Sequence, residues 1–577
     1  MNYSEMSKVW LNSDKVSEAD KKIILDADDN QLKDMFYQDL AFGTAGLRGV
    51  MGPGTNRMNK FVITKATIGV GLYYQKYRKL GYKGIAISYD NRNNSKEFAF
   101  IAQSILNEMG IDTYIFDKPH PTPELSFAVR YYKCFAGIMI TASHNPKEYN
   151  GYKVYDEEGC QLVFEKIDNL IAIIDKLPSY LDCEVPVSDT KGKSMICDDD
   201  LDPVFIDKEI STSIGCKIFK NDYRQTQIVF SPQCGANSIV GPKILRGCHY
   251  DVTTTPGQDY FDPNFTGTKS PNPENKEAYT KSIETLLELN KKGNSDPNKK
   301  YTLIMTSDPD ADRVGVAFLN SKNEVELYTG NQIGAMLIDF LFHYYQENGL
   351  IPPNGMLYES FVTSTLGKKV ATSYNVNVET VLTGFKYIGN KIATEKDKIY
   401  LFGYEESYGY LIYPFVRDKD SLQSMILIAD MVEYYARRGK TLDIVYDELQ
   451  QKFGYYSTET YSIQADNADH FAKMKDYIEH LIDTPADSIG NYKVTSIIDY
   501  NRQLNFNKAT NSTTTFDDLP KSNCIKFILG NSGWIAIRPS GTEPKVKVYI
   551  EIISKKKGSN TFECDKLFNV IKNKLKF

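Results

Sequence analysis

Thr141-Ala-Ser-His-Asn-Pro-Lys-Glu-Tyr-Asn150, followed by Gly151-Tyr-Lys153, places one serine where its hydroxyl can do chemistry. Ser143 follows the apolar run Phe135–Ile140, which reads as a buried strand, and Asn145-Pro146 then forces a turn. A hydroxyl at such a turn is expected to be presented rather than packed. With His144 and Lys153 close by in sequence, it is suited to carrying a phosphoryl group.

A second string, Asp308-Pro-Asp310-Ala-Asp312-Arg313, puts three carboxylates at alternate positions directly after the strand-like Leu303–Thr306. Carboxylates this close repel one another, and a divalent cation with oxygen ligands is the usual compensation. A calcium hand fails on spacing. Its sixth position would be Arg313 where glycine is needed, and its twelfth Leu319 where glutamate is needed. Magnesium fits better, because it takes a few carboxylates together with a phosphate oxygen.

Two further strings are polar turns with recognition chemistry. Phe402-Gly-Tyr-Glu405-Glu-Ser407-Tyr-Gly409 sets carboxylates and a hydroxyl between glycines, groups that can hydrogen-bond adjacent sugar hydroxyls. Arg538-Pro-Ser540-Gly541-Thr542-Glu-Pro-Lys545 offers a guanidinium, two hydroxyls and glycine-freed amides, a set suited to phosphate oxygens. Between them lie Thr383-Gly384-Phe-Lys386 and Arg417-Asp-Lys419-Asp420, whose cations taken singly read as solvated loop residues.

The elements that must hold these strings alternate. A charged, helix-patterned stretch from Glu18 to Leu40 is followed by a strand Ile85–Tyr89, a helix Ser95–Met109, a strand Thr113–Phe116 and then the serine turn. A second unit begins near Cys216 with the strand Gln227–Phe230 and leads to the aspartate turn. A third runs from Tyr328 through a helix Gln332–Tyr345, and the last ends on the strand Val546–Ile550 and an amphipathic helix. This alternation predicts a mixed α/β architecture. The acidic 182–203 stretch and the Lys/Asn-rich 290–300 stretch read as surface loops or partly disordered segments.

Composition narrows the function class. At 577 residues the chain exceeds what one core usually serves, and its 41% hydrophobic content is ample for several. No apolar run is long enough to span a membrane, and the start lacks a basic segment followed by an apolar one, so neither membrane attachment nor secretion is expected. Nine scattered cysteines without a Cys-x-x-Cys pair argue against a disulfide framework or a structural zinc site. These features point to a cytoplasmic protein. A net charge of −6 without a basic patch argues against nucleic-acid binding, so an anionic small molecule would need a local cluster of positive groups.

Taken together the four strings, spread from Gly43 to Glu551, resemble those of the α-D-phosphohexomutase superfamily, the phosphoglucomutases and phosphomannomutases. The resemblance implies four domains around a central cleft, three similar α/β domains and a C-terminal α+β domain, at about 1–215, 216–322, 323–452 and 453–577. It implies that Ser143 is carried as phosphoserine, that Mg²⁺ is held by Ser143, Asp308, Asp310 and Asp312, and that Arg48, His144 and Lys153 lie beside the serine, with His144 or Lys153 as proton acceptor. Arg313 would reach the same neighbourhood. Glu405 and Ser407 would bind the sugar ring, and Arg538, Ser540, Gly541, Thr542 and Lys545 the phosphate that is not transferred. Thr383, Gly384, Lys386, Arg417 and Lys419 would contribute secondary contacts.

The activity implied is interconversion of α-D-glucose 1-phosphate and glucose 6-phosphate, with glucose 1,6-bisphosphate as intermediate and activator. A phosphosugar is the expected partner, and a monomer or weak dimer the expected assembly. The Asp-Pro-Asp-Ala-Asp-Arg wording is closer to the branch that also holds phosphopentomutases. Pentose phosphates therefore stay open, as do phosphomannomutase and glucose-1,6-bisphosphate synthase activities and a non-catalytic scaffold. Ser231-Pro-Gln-Cys234-Gly235 stands where many relatives have a His-Gly pair, which removes any claim for a histidine there.

Overall fold

The computed structural model describes every residue except 1, 44–45, 293–299, 485, 518, 541–544, 559, 576 and 577. The chain divides into two compact units, Met1–Gly330 with Phe385–Leu442, and Asn331–Gly384 with Asp443–Phe577.

In the first unit, short apolar runs bounded by turn residues become strands buried on both faces. Ile85, Ile87, Ile138 and Ile140 are fully buried at the centre of a six-stranded sheet. Lys83–Tyr89 lies parallel to both Thr113–Ile115 and Cys134–Ile140, and the edge strand Ser194–Ile196 is parallel to Thr113–Ile115. Cys134–Ile140 then turns back antiparallel into Tyr149–Tyr155, which pairs with Leu47–Val50. Helices Lys60–Tyr77, Ser95–Glu108 and Phe164–Ile174 contribute their apolar residues to the same core.

A five-stranded sheet in the same unit repeats this plan. Gln227–Ser231 is parallel to Asp251–Thr254 and to Tyr301–Ser307, and Tyr301–Ser307 turns back antiparallel into Val314–Leu319. A third reversal joins Ile399–Glu405 to Gly409–Leu411, with Glu405 opposite Gly409. Each of the serine, aspartate and sugar-type strings thus occupies the turn after a strand that then doubles back. Parallel neighbours bury the first two of these strands, while the C-terminal turns leave the sheet and are free to carry polar groups.

Three N-terminal helices, Tyr3–Asn12, Glu18–Asp26 and Asp29–Phe36, pack around Trp10 in a satellite core with Ile24, Phe36 and Leu181. The 182–203 stretch differs from its expected loop character. It supplies the edge strand Ser194–Ile196 and the start of the helix Asp198–Ile210. Asp198, Asp199 and Asp200 occupy that helix's first turn, where acidic side chains face the positive end of the helix dipole. Of 290–300, Asn290–Lys292 end the helix Thr280–Lys292, and 293–299 lie outside the described residues.

The second unit contains the parallel strands Gly355–Ser360 and Asn377–Val381 and, further along the chain, a seven-stranded antiparallel sheet. Tyr455–Gln464, Lys545–Ser554 and Gly533–Pro539 are consecutive in that sheet. Helices Ala468–Glu479 and Asn560–Lys574 contribute Met474, Ile478, Leu567 and Ile571 to its core.

Candidate active site

Ser143 is held in the left-handed backbone region, at φ 53°, in the turn between Cys134–Ile140 and Tyr149–Tyr155. Its N–H donates to Thr141 Oγ1 at 2.8 Å, and Thr141 donates in turn to Asp90 Oδ2 at 2.7 Å. The residue is 3% exposed, which corrects the expectation of an openly presented hydroxyl. It is buried because its Oγ donates to Asp308 Oδ2 at 2.8 Å, and His144 Nδ1 lies 3.1 Å from the same oxygen.

The aspartate turn is fastened from its own backbone. Asp308 Oδ1 accepts the N–H groups of Asp312 and Arg313 at 3.1 and 3.0 Å, and Ala311 takes a left-handed φ of 59°. Ser421, at the start of the helix Ser421–Ala436, donates its hydroxyl to the Ala311 carbonyl at 2.6 Å. All three carboxylates are buried, with ligand atoms within 4.8 Å of one another. Lys153 Nζ donates to Asp310 Oδ2 at 3.0 Å, and Lys419 Nζ lies 2.9 Å from Asp312 Oδ2. Asp310 Oδ1 and Asp312 Oδ1 are buried with no hydrogen-bond partner among the described residues.

These contacts separate the three acids electrostatically. Burial, followed by the charges of Asp312 and Asp310, pushes Asp308 well above the ordinary carboxylate range. Burial also acts to raise Asp310, but Lys153 overrides it and holds that group low. Asp312 is likewise lowered, by Lys419, Lys153 and Arg313, against burial and the repulsion of Asp310. Two carboxylate oxygens that accept no hydrogen bond, inside a ring of three acids and beside a serine oxygen, are the donor set of a hard divalent cation, and the residues fit Mg²⁺.

Around this centre the first unit collects cations. Arg48 donates to Asn145 Oδ1 at 3.1 Å, and Arg313 pairs with Glu274 at 2.6 Å. Glu405, at the end of its strand, is 6% exposed, and its charge acts on both Arg313 and Lys419. Ser407 is partly buried in the following turn, and Lys386 is partly buried near the start of the helix Phe385–Thr394. Arg417 is buried with Nε and Nη1 unpartnered; desolvation and the nearby Arg130 lower its guanidinium to about 10. His144 is held neutral, well below its ordinary range, by desolvation and by Arg313 and Arg48.

Thr383, Gly384, Arg538, Ser540 and Lys545 belong to the second unit. Gly384 takes a left-handed φ of 111°. Arg538 lies in the strand Gly533–Pro539, and Ser540 N–H donates to the Lys545 carbonyl at 2.8 Å. Gly541 and Thr542 lie outside the described residues.

Sequence reasoning missed two positioning residues. Arg92, 3% exposed, donates to the carbonyls of Ser143, Asn145, Pro146 and Tyr149, and its Nε pairs with Asp90. One guanidinium therefore sets the backbone of the whole serine turn, using the fixed fork of donors that only arginine carries. Thr122 donates its N–H to the Asp310 carbonyl at 2.8 Å and its hydroxyl to Asp310 Oδ2 at 3.0 Å. Asp90-Asn-Arg92 directly after a strand was the available signal for the first. Nothing local marks the second, since Thr122 and Asp310 are far apart in sequence.

The chain matches the descriptions "phosphoglucomutase/phosphomannomutase, alpha/beta/alpha domain I" over residues 39–181, domain II over 206–321 and domain III over 329–453, and the C-terminal domain over 505–562. It is 34% identical over 550 residues to a phosphoglucomutase of Staphylococcus epidermidis, covering 92% of this chain and 95% of that protein. Parafusin, a phosphoglucomutase from Paramecium, superposes with a TM-score of 0.64 at 17% identity, covering 92% of this chain and 95% of that one. An N-acetylphosphoglucosamine mutase of Aspergillus fumigatus, described in complex with GlcNAc-6P and magnesium, superposes at 0.52 and 13% identity over 93% of this chain and 96% of that one. With four consecutive domain matches and a relative this similar along nine-tenths of its length, the chain belongs to the phosphoglucomutase/phosphomannomutase family.

Proposed function

We propose that this chain is a phosphoglucomutase, an isomerase that interconverts α-D-glucose 1-phosphate and glucose 6-phosphate. The observation that carries the reading is the Ser143 hydroxyl donating to Asp308 beside two buried carboxylate oxygens that accept no hydrogen bond. The curated phosphoglucomutase relative, similar over nearly the whole chain, supports the sugar.

In the forward direction, phosphoserine 143 meets the free 6-hydroxyl of glucose 1-phosphate. A bond forms from that oxygen to phosphorus while the Oγ–P bond breaks, giving glucose 1,6-bisphosphate and a free serine. The bisphosphate then turns end for end, and its 1-phosphoryl group passes to Ser143 Oγ, releasing glucose 6-phosphate. His144 Nδ1 lies beside Ser143 Oγ and Lys153 Nζ lies between Asp310 and Asp312; the proton of the attacking hydroxyl is assigned to one of this pair and is returned to the departing oxygen. Asp308, Asp310, Asp312 and the serine oxygen would hold Mg²⁺, which when bound neutralises charge on the phosphoryl group in transfer.

Arg48, Arg313, Lys153 and Lys419 supply the remaining positive charge around the spread-out transition state. Glu405 and Ser407 are assigned to the ring hydroxyls, with Arg417, Lys386, Thr383 and Gly384 as secondary contacts. Arg538, Ser540 and Lys545, with Gly541 and Thr542, are assigned to the phosphate that stays in place. We also propose the four-domain division at 1–215, 216–322, 323–452 and 453–577.

The test is turnover of glucose, mannose and ribose 1-phosphates side by side, with and without chelator. Glucose 1-phosphate should give the highest kcat/KM, and activity lost to chelator should return with Mg²⁺. Faster turnover of ribose 1-phosphate would make the protein a pentomutase. Full activity in excess chelator would remove the cation from the mechanism.

A further inference from the structure

Apart from the aspartate turn, His120, Glu124 and Asp202 bring one ring nitrogen and two carboxylates within 4.8 Å of one another. His120 stands two residues before the first residue of the helix Thr122–Tyr131, Glu124 lies in that helix's first turn, and Asp202 comes from the helix Asp198–Ile210. Glu124 is fully buried, and neither of its carboxylate oxygens has a hydrogen-bond partner among the described residues.

The protonation of His120 follows from its other neighbour. Its Nδ1 lies 2.8 Å from the Lys118 carbonyl, which can only accept, so the hydrogen sits on Nδ1. A neutral ring then points the bare lone pair of Nε2 at Asp202 Oδ1, 3.0 Å away, with Glu124 close behind. Acceptors facing one another this closely need a positive charge between them, either a second proton on the ring or a metal ion. A histidine whose far nitrogen is tied to a backbone carbonyl is also oriented as metal-binding histidines are.

Burial opposes charge on His120, yet Glu124 and Asp202 outweigh it and raise the ring to about 9. Burial pushes Glu124 up to about 8, with His120 opposing. With no ion bound the ring therefore holds its second proton at neutral pH, and an ion has to displace that proton. The geometry is close to one that an ion could occupy. Ligands about 2.1 Å from a tetrahedral ion lie about 3.4 Å apart, so the 3.0 Å gap need open by only about 0.4 Å. Asp202, whose side chain is 33% exposed, can supply that movement and the route in.

We propose that His120, Glu124 and Asp202 form a second cation site, free of cysteine, that takes a divalent ion of the zinc class. A mixed nitrogen and carboxylate set favours such an ion, whereas the all-oxygen aspartate turn favours magnesium. An ion here would tie the Asp198–Ile210 helix to the start of the Thr122–Tyr131 helix, whose Thr122 grips Asp310.

The test uses cobalt as the probe. Chelator-treated full-length protein in excess Mg²⁺, which occupies the aspartate turn, is titrated with Co²⁺ and followed by visible absorbance. One equivalent should bind with the intense bands of four-coordinate cobalt, and Zn²⁺ should displace it. The bands should persist in Asp310→Asn and vanish in His120→Ala. Asp202→Asn, at the partly exposed end and so the safer variant for folding, should weaken binding at least tenfold. Absence of the bands in wild type, or bands unchanged in Asp202→Asn, would overturn the proposal and leave a proton-bridged His, Glu and Asp cluster.

Discussion

Ser143 is buried, so its replacement has two consequences. Ser143→Ala should abolish mutase turnover, and intact-mass analysis should find a phosphoryl-bearing fraction in wild type that the variant lacks. Removing the hydroxyl also leaves Asp308 Oδ2 without its donor in a buried setting, which should lower stability by about 1–3 kcal/mol, readable in a denaturant melt. An openly presented serine would show no such loss. For Arg538, replacement by glutamine should remove a charge-assisted contact worth ~1.5–3 kcal/mol. That is roughly a ten- to hundredfold loss of apparent affinity, and it should be equal for the 1-phosphate and the 6-phosphate, because the bisphosphate must be held by either end. Loss for only one of the two would rule out a reorienting intermediate.

Among the elements, the helix Lys60–Tyr77 supports the serine sheet and is capped by one side chain. Asn59 Oδ1 accepts from the N–H groups of Phe61 and Val62, and its Nδ2 donates to the carbonyls of Gly52 and Gly54. Asn59→Ala should cost at least about 1–2 kcal/mol in unfolding free energy, with phosphoserine formation intact. On the helix Ser421–Ala436, whose first residue holds the aspartate turn, Asp430 is fully buried and accepts from Ser213 and Tyr250. Burial raises its folded-state pKa from 3.8 to about 6. A carboxyl raised on folding gives stability that is complete below about pH 4 and is lost as pH climbs through 6. Asp430→Asn should therefore gain stability relative to wild type as pH rises from 3 to 7, by on the order of 2–3 kcal/mol. A gap independent of pH would show that Asp430 does not titrate there.

At the scale of the whole molecule, the chain forms two compact units, each with its own buried cluster. Proteins with several cores commonly depart from two-state unfolding. Scanning calorimetry should give more than one transition, or a calorimetric enthalpy above the van't Hoff value. Mg²⁺ added with glucose 1,6-bisphosphate should raise the transition of the unit that holds Ser143 and the three aspartates, since a ligand stabilises the state it binds. A single transition with equal enthalpies would mean that the units unfold as one. Among the described residues no helix is long and apolar enough to cross a membrane.

The sequence by itself determined the strands that lead into the three turns, because apolar runs bounded by Gly, Pro and Asn admit few other structures. It also determined the serine, aspartate, sugar and phosphate strings, because their residue types sit within a few positions of one another. Local order of this kind survives in a linear reading. The edge strand and helix of 182–203 were not legible, since their support comes from pairing with Thr113–Ile115 and from a helix dipole rather than from apolar periodicity. Tertiary structure alone decided that Ser143 is buried against Asp308, that Arg92 sets the serine turn, and that Thr122 holds Asp310. It alone brought His120 and Glu124 to Asp202. Each of these pairs is distant in sequence, and only the packing of separately folded strands and helices places their polar atoms within hydrogen-bonding range.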